Sequence, residues 1–165
     1  MSNLTLGKKK MNLQLIVQDF YQPSTIDETT WVSWFQDWLQ TPGLDLPPAA
    51  SYELSLRLTT DAEIQALNSQ FRQKDQPTDV LSFAAMEVDF PELEDAADAL
   101  YLGDIIISVD TAARQAPEHG YALRKELAWL ASHGLLHLLG WDHPDEPSLL
   151  IMLQQQETFL ARSGL

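Results

Sequence analysis

Leu13, Leu15 and Val17 alternate with polar neighbours, the period of two that marks a half-buried strand. After Pro23, the residues Trp31, Trp34, Phe35, Trp38 and Leu39 recur at helical spacing until Pro42-Gly43, which predicts a helix with one aromatic face turned to the core. Leu54, Leu56 and Leu58 alternate again as a second strand, and Thr60-Asp61-Ala62-Glu63 has the form of a capping box that opens a helix. In that helix Ile64, Leu67 and Phe71 form the expected buried stripe, with Asn68 and Arg72 on a neighbouring face and Pro77-Thr78 at the end. A short strand is expected over Asp79 to Phe83. Another follows over Leu102 to Ser108, where Ile105-Ile106-Ile107 suits burial on both faces.

Asp110 to Glu118 reads as a helix closed by Gly120. From Tyr121 to Leu139 only Gly134 interrupts a stretch that is apolar on nearly every side, so this is the central helix of the fold. A last helix starts after Asp145-Glu146-Pro147 and carries Leu149, Leu150, Met152 and Leu153 near its beginning. With about four strands and about five helices interleaved irregularly, the expected fold is α+β: a single domain over residues 1–165, with a mixed sheet packed on helices.

The 165 residues, 45% hydrophobic and 21% charged, have the balance of an ordinary globular chain. No apolar run approaches the roughly 20 residues of a membrane span, and no apolar segment follows Lys8-Lys9-Lys10. The expected setting is therefore the cytoplasm, without membrane contact, and residues 1–10 are expected to form a mobile tail. The absence of Cys excludes disulfide scaffolds, thiolate zinc sites and cysteine nucleophiles, so any metal has to be held by His or carboxylate. The net charge of −14 argues against a general nucleic-acid coat protein. Glu87 to Asp98 holds six acids and no cation, and is expected to be a solvated acidic loop.

Three of the four histidines fall between His133 and His143. On a helix His133 and His137 lie one turn apart on one face, and a left-handed end at Gly140 lets the chain return His143 to the same point. Three imidazoles at one ion, with a fourth position left for water, is the arrangement of catalytic zinc. Two core histidines satisfied by hydrogen bonds, with His143 on the surface, is the simpler alternative. The metzincin pattern HExxHxxGxxH has the same spacing, but its general base is the Glu after the first His, where this chain has Gly134.

The segment His133 to His143 resembles the HGxLHLxGyDH signature of the bacterial YbeY family of metal-dependent endoribonucleases, with Trp141 at the usual Tyr. The resemblance extends to Leu67-Asn68, Phe71-Arg72, Lys74-Asp75, Pro77 to Phe83, Leu102 to Ile105, and Met152 with Glu157. It implies one Zn²⁺ on His133, His137 and His143 and a functional role for Arg72. It also implies single-stranded ribosomal RNA as substrate, in maturation of the small-subunit 3′ end and ribosome quality control, with ribosomal proteins or the small subunit as further partners. A guanidinium at position 72 suits bidentate hold of a phosphate; the simpler alternative is an ion pair with Asp75 or Asp79.

Two other functions fit the same three histidines. A zinc peptidase or amidase would need a carboxylate base elsewhere, and a noncatalytic ribosome-assembly factor would use the ion for stability alone. His119 is expected to be an exposed helix-end residue, Asp142 a turn residue before His143, with an acceptor for a ligand N–H as the alternative, and Asp104 a strand-end cap or a residue lining the site. Lys74, Arg124 and Lys125 are expected to be solvated surface.

Overall fold

A computed structural model describes residues 11–21, 26–85 and 98–165. Four strands, β1 (Leu13–Asp19), β2 (Ser51–Thr59), β3 (Val80–Ala84) and β4 (Ala99–Ser108), form one sheet in the order β1-β2-β4-β3. β1, β2 and β4 run parallel, whereas β3 lies antiparallel on β4, with Leu81 opposite Ile106 and Phe83 opposite Asp104. Five helices complete the fold: α1 (Glu28–Leu39), α2 (Asp61–Arg72), α3 (Val109–His119), α4 (Leu123–Leu138) and α5 (Glu146–Arg162). The α+β class and the mixed four-stranded sheet agree with the sequence pattern.

The period of two in the strands decides which helix covers which face. Leu54, Leu56, Leu58, Ile105 and Ile107 enter the main core, where they meet the α1 aromatic face and the apolar sides of α4 and α5. Trp31, Phe35 and Trp38 are fully buried, and Trp38 stacks on Phe159 of α5 at 6.0 Å. Ile106 points to the other face, where Ile64 of α2 and Leu81 form a second, smaller cluster. Burial of β4 on both faces follows directly.

Two local expectations change. Phe71 is 51% exposed and is not part of the α2 buried stripe, because the helix ends one residue later and the ring rests edge-on against Phe83, 5.4 Å away. The Thr60 side chain does accept from the Glu63 N–H, but the Glu63 carboxylate pairs with Arg57 at 3.3 Å instead of returning to the cap, so the box is half formed. The expected N-terminal tail and nearly all of the acidic loop lie outside the described residues. Among the described residues, no helix is long and apolar enough to cross a membrane.

Candidate metal centre

α4 runs against β3 and β4, and one contact explains how closely it can do so. A Cβ on Gly134 would stand 2.8 Å from Ile105 Cγ2 and 3.1 Å from Ser82 Oγ, so this turn of the helix admits no side chain. The position that carries the Glu base in metzincins therefore faces the sheet and has no room for a carboxylate. One residue before Gly134 and three residues after it, His133 and His137 project from α4 into a cavity of about 520 Å³, also lined by Arg72, Asp79, Ser82 and Asp142.

The helix ends as the sequence implies. Gly140 has φ +95°, a conformation that suits glycine, and the Trp141 N–H reaches back to the Leu136 carbonyl at 2.9 Å. After this reversal His143, whose N–H donates to Asp142 Oδ1, comes back to the other two rings. Ring centroids lie 4.6 Å apart for His133 and His137, and 5.5 Å from His143 to each of them. One ligand atom from each ring lies within 4.8 Å of the others, so this three-histidine group can hold a metal ion. Asp142 is the expected turn residue.

The hydrogen bonds behind the rings settle which nitrogen is free. A backbone carbonyl only accepts, so His137 carries its proton on Nδ1 and donates to the Trp141 carbonyl at 2.9 Å. Gln156 of α5 donates its amide nitrogen to the Trp129 carbonyl at 3.2 Å, which turns its oxygen to His133 Nδ1 at 3.1 Å. Both rings are thus oriented from behind, as metal-ligating histidines generally are. Their Nε2 atoms face each other at 3.0 Å, and in the neutral rings neither has a hydrogen to offer the other. Burial is the main cause that holds both pKa values below the ordinary histidine value, which keeps the two lone pairs free. Two half-buried lone pairs at this distance repel unless a cation lies between them, and nitrogen donors of this kind suit Zn²⁺.

Arg72 is the last residue of α2. Gln73 follows in the left-handed region at φ +57°, and Asn68, buried at 4% exposure, ties the next loop down by donating to the Gln76 carbonyl at 2.9 Å. This fixed exit sends the guanidinium across β3, where it donates to the Ser82 carbonyl at 2.8 Å and lies 5.1 Å over the Phe83 ring. The ion-pair alternative is not what forms: Asp75 accepts from Gln65, and Asp79 Oδ1 accepts from the Val80 N–H. With one donor committed to Ser82, the fork retains N–H groups for an anion in the cavity.

Other residues fall elsewhere. Asp104 accepts from Ser55 and Tyr101 on the opposite sheet face and does not line the histidine cavity. His119 is more than an exposed helix end, since its Nδ1 meets the fully buried Glu126 carboxylate at 2.5 Å. The Arg124 guanidinium lies over Trp34 at 5.0 Å and the Lys125 ammonium over Tyr121 at 4.4 Å, so both charged heads sit on aromatic rings. Gln156 and the carbonyls of Trp141 and Ser82 are parts of the site that sequence reasoning missed.

A model of the family described as endoribonuclease YbeY matches residues 17–164. An endoribonuclease YbeY from a Nostoc species is 57% identical over 146 residues, covering 88% of this chain and 79% of the relative. One from a Cyanothece species is 54% identical over 160 residues, covering 94% and 95%. The fold is similar to the solution structure of TM1509 from Thermotoga maritima, with a TM-score of 0.59 and 24% identity over 91% of this chain and 89% of that one. Matched along nearly its whole described length, and with the three histidines gathered as the signature requires, the chain belongs to the YbeY endoribonuclease family.

Proposed function

We propose that this protein is a zinc-dependent endoribonuclease that cuts single-stranded RNA. One Zn²⁺ would be held by His133, His137 and His143, and Arg72 would bind the reacting phosphate. The observation that carries the reading is the pair of unprotonated Nε2 atoms at 3.0 Å, in the same cavity as a guanidinium. Bound there, the ion supplies Lewis acidity and lowers the pKa of water. Arg72 supplies the rest of the charge: its planar fork holds two phosphoryl oxygens and offsets the negative charge that builds on them in the transition state. The Ser82 carbonyl and the Phe83 ring hold that fork in place before substrate arrives, which reduces the ordering cost of binding.

The relatives are named as endoribonucleases, which supports RNA as the substrate. Maturation of ribosomal RNA at the small-subunit 3′ end and ribosome quality control, in the cytoplasm and with ribosomal proteins or the small subunit as partners, complete the proposal. The acidic balance of the chain favours RNA presented on a ribosomal particle over long-range capture of free RNA. The peptidase reading is disfavoured by Gly134, where neither a carboxylate nor space for one exists.

The test is cleavage of a labelled single-stranded RNA by zinc-loaded protein beside His137→Ala and Arg72→Ala proteins purified identically. Loss of cutting in the first, and a fall of about 10²–10³ in kcat for the second with both still folded, is the expected result. Equal cutting by all three would assign the activity to a contaminant. Zinc that raises the Tm of a protein cutting neither free RNA nor RNA on the small subunit would instead favour the noncatalytic assembly factor.

A further inference from the structure

The sheet face away from the main core is only partly covered by α2, and beside the helix it leaves a groove of about 500 Å³. Phe71, Phe83, Leu67 and Ile106 supply its apolar wall, and Arg57, Gln18, Ser55 and Asp104 its polar groups. This groove adjoins the histidine cavity. Phe71 and Phe83 line the groove, while their chain neighbours Arg72 and Ser82 line the cavity. The Arg72 guanidinium over the Phe83 ring forms the wall between the two.

Resting on the RNA reading above, we propose that this groove is a nucleobase subsite, which receives a base of the strand whose phosphate is held at Arg72. Phe71, half exposed and edge-on to Phe83, offers a ring face of the kind on which bases stack. Arg57 stands at the other side, 5.3 Å over the half-exposed Phe20 ring, with its fork turned to Gln18 and Glu63. Charge selects which part of a nucleotide enters. Asp104 repels phosphate from the floor of the groove, yet its carboxylate and the Gln18 amide can pair with the polar edge of a base. The strand would then keep its phosphates at Arg72 and Arg57 and turn a base inward between them.

The experiment compares binding of a nuclease-resistant 2′-O-methyl uridine decamer with the same strand lacking its bases, so that the phosphate count is constant. The full-length protein is expected to hold the base-bearing strand about tenfold more tightly, the contribution of a stacked base. Phe71→Ala should abolish that difference, and Phe71→Trp should keep it. Arg72→Ala should weaken both strands by the same factor. If the unaltered protein binds the two strands equally, or if Phe71→Ala keeps the full difference, the subsite is overturned and the groove is left to a protein partner. If it binds neither strand, whether free or carried on a small-subunit particle, the RNA reading itself fails, and the subsite with it.

Discussion

Gln156 holds His133 through Nδ1 and is itself held by the Trp129 carbonyl, so its truncation frees the ring to turn. Gln156→Ala should lower zinc affinity about 10- to 100-fold in a titration against a competing chelator, while Gln156→Glu, which restores an acceptor, should recover most of it. A second expectation concerns protons. Burial first, then the neighbouring imidazoles, hold His133 and His137 below their ordinary value. The unfolded chain therefore takes up protons first as the pH falls below about 6.5, and folded-state stability is lost from there down to the lowered pKa values. The urea midpoint of metal-free protein should rise with pH across that window and level off above it; a His133→Gln/His137→Gln double variant should lose most of the dependence. At this scale the grouping of the three histidines was legible because residue type and spacing together specify it. Gln156 was not: in the run Gln154-Gln155-Gln156 nothing but the fold selects the one that reaches His133.

Among the elements, α4 depends on its contact with the sheet. Gly134→Ala would place a methyl group 2.8 Å from Ile105 Cγ2 inside a packed core, so the helix has to move or the strand has to bend. A loss of about 1–3 kcal/mol is expected in urea unfolding, together with weaker zinc binding, since both histidines ride on the same turn. Helix α4 was readable from its apolar periodicity, and its end from Gly140. The place of Phe71 was not, because helical spacing predicts a side of a helix and does not say where the neighbouring element stops. Likewise Glu63 has the right spacing for a capping box, but Arg57 lies across from it on β2 and competes successfully for the carboxylate.

For the whole molecule, alternation and turn signals revealed the elements, but not the strand order. That β3 turns antiparallel on β4 depends on contacts between distant residues, such as Leu81 with Ile106, which no local pattern encodes. On the helix packed against this sheet His133 and His137 stand face to face with no proton between them, and the reversal at Gly140 returns His143 to the pair. The folded state alone offers this grouping, so an ion that binds it draws the folding equilibrium toward the native form. A hundredfold excess of zinc over its Kd should add about 2.7 kcal/mol, and roughly 5–10 °C in Tm by calorimetry, with chelator reversing the gain. The melting temperature of this protein would then serve as a gauge of free metal in its surroundings, and metal scarcity would shorten the lifetime of the fold as well as silence the site.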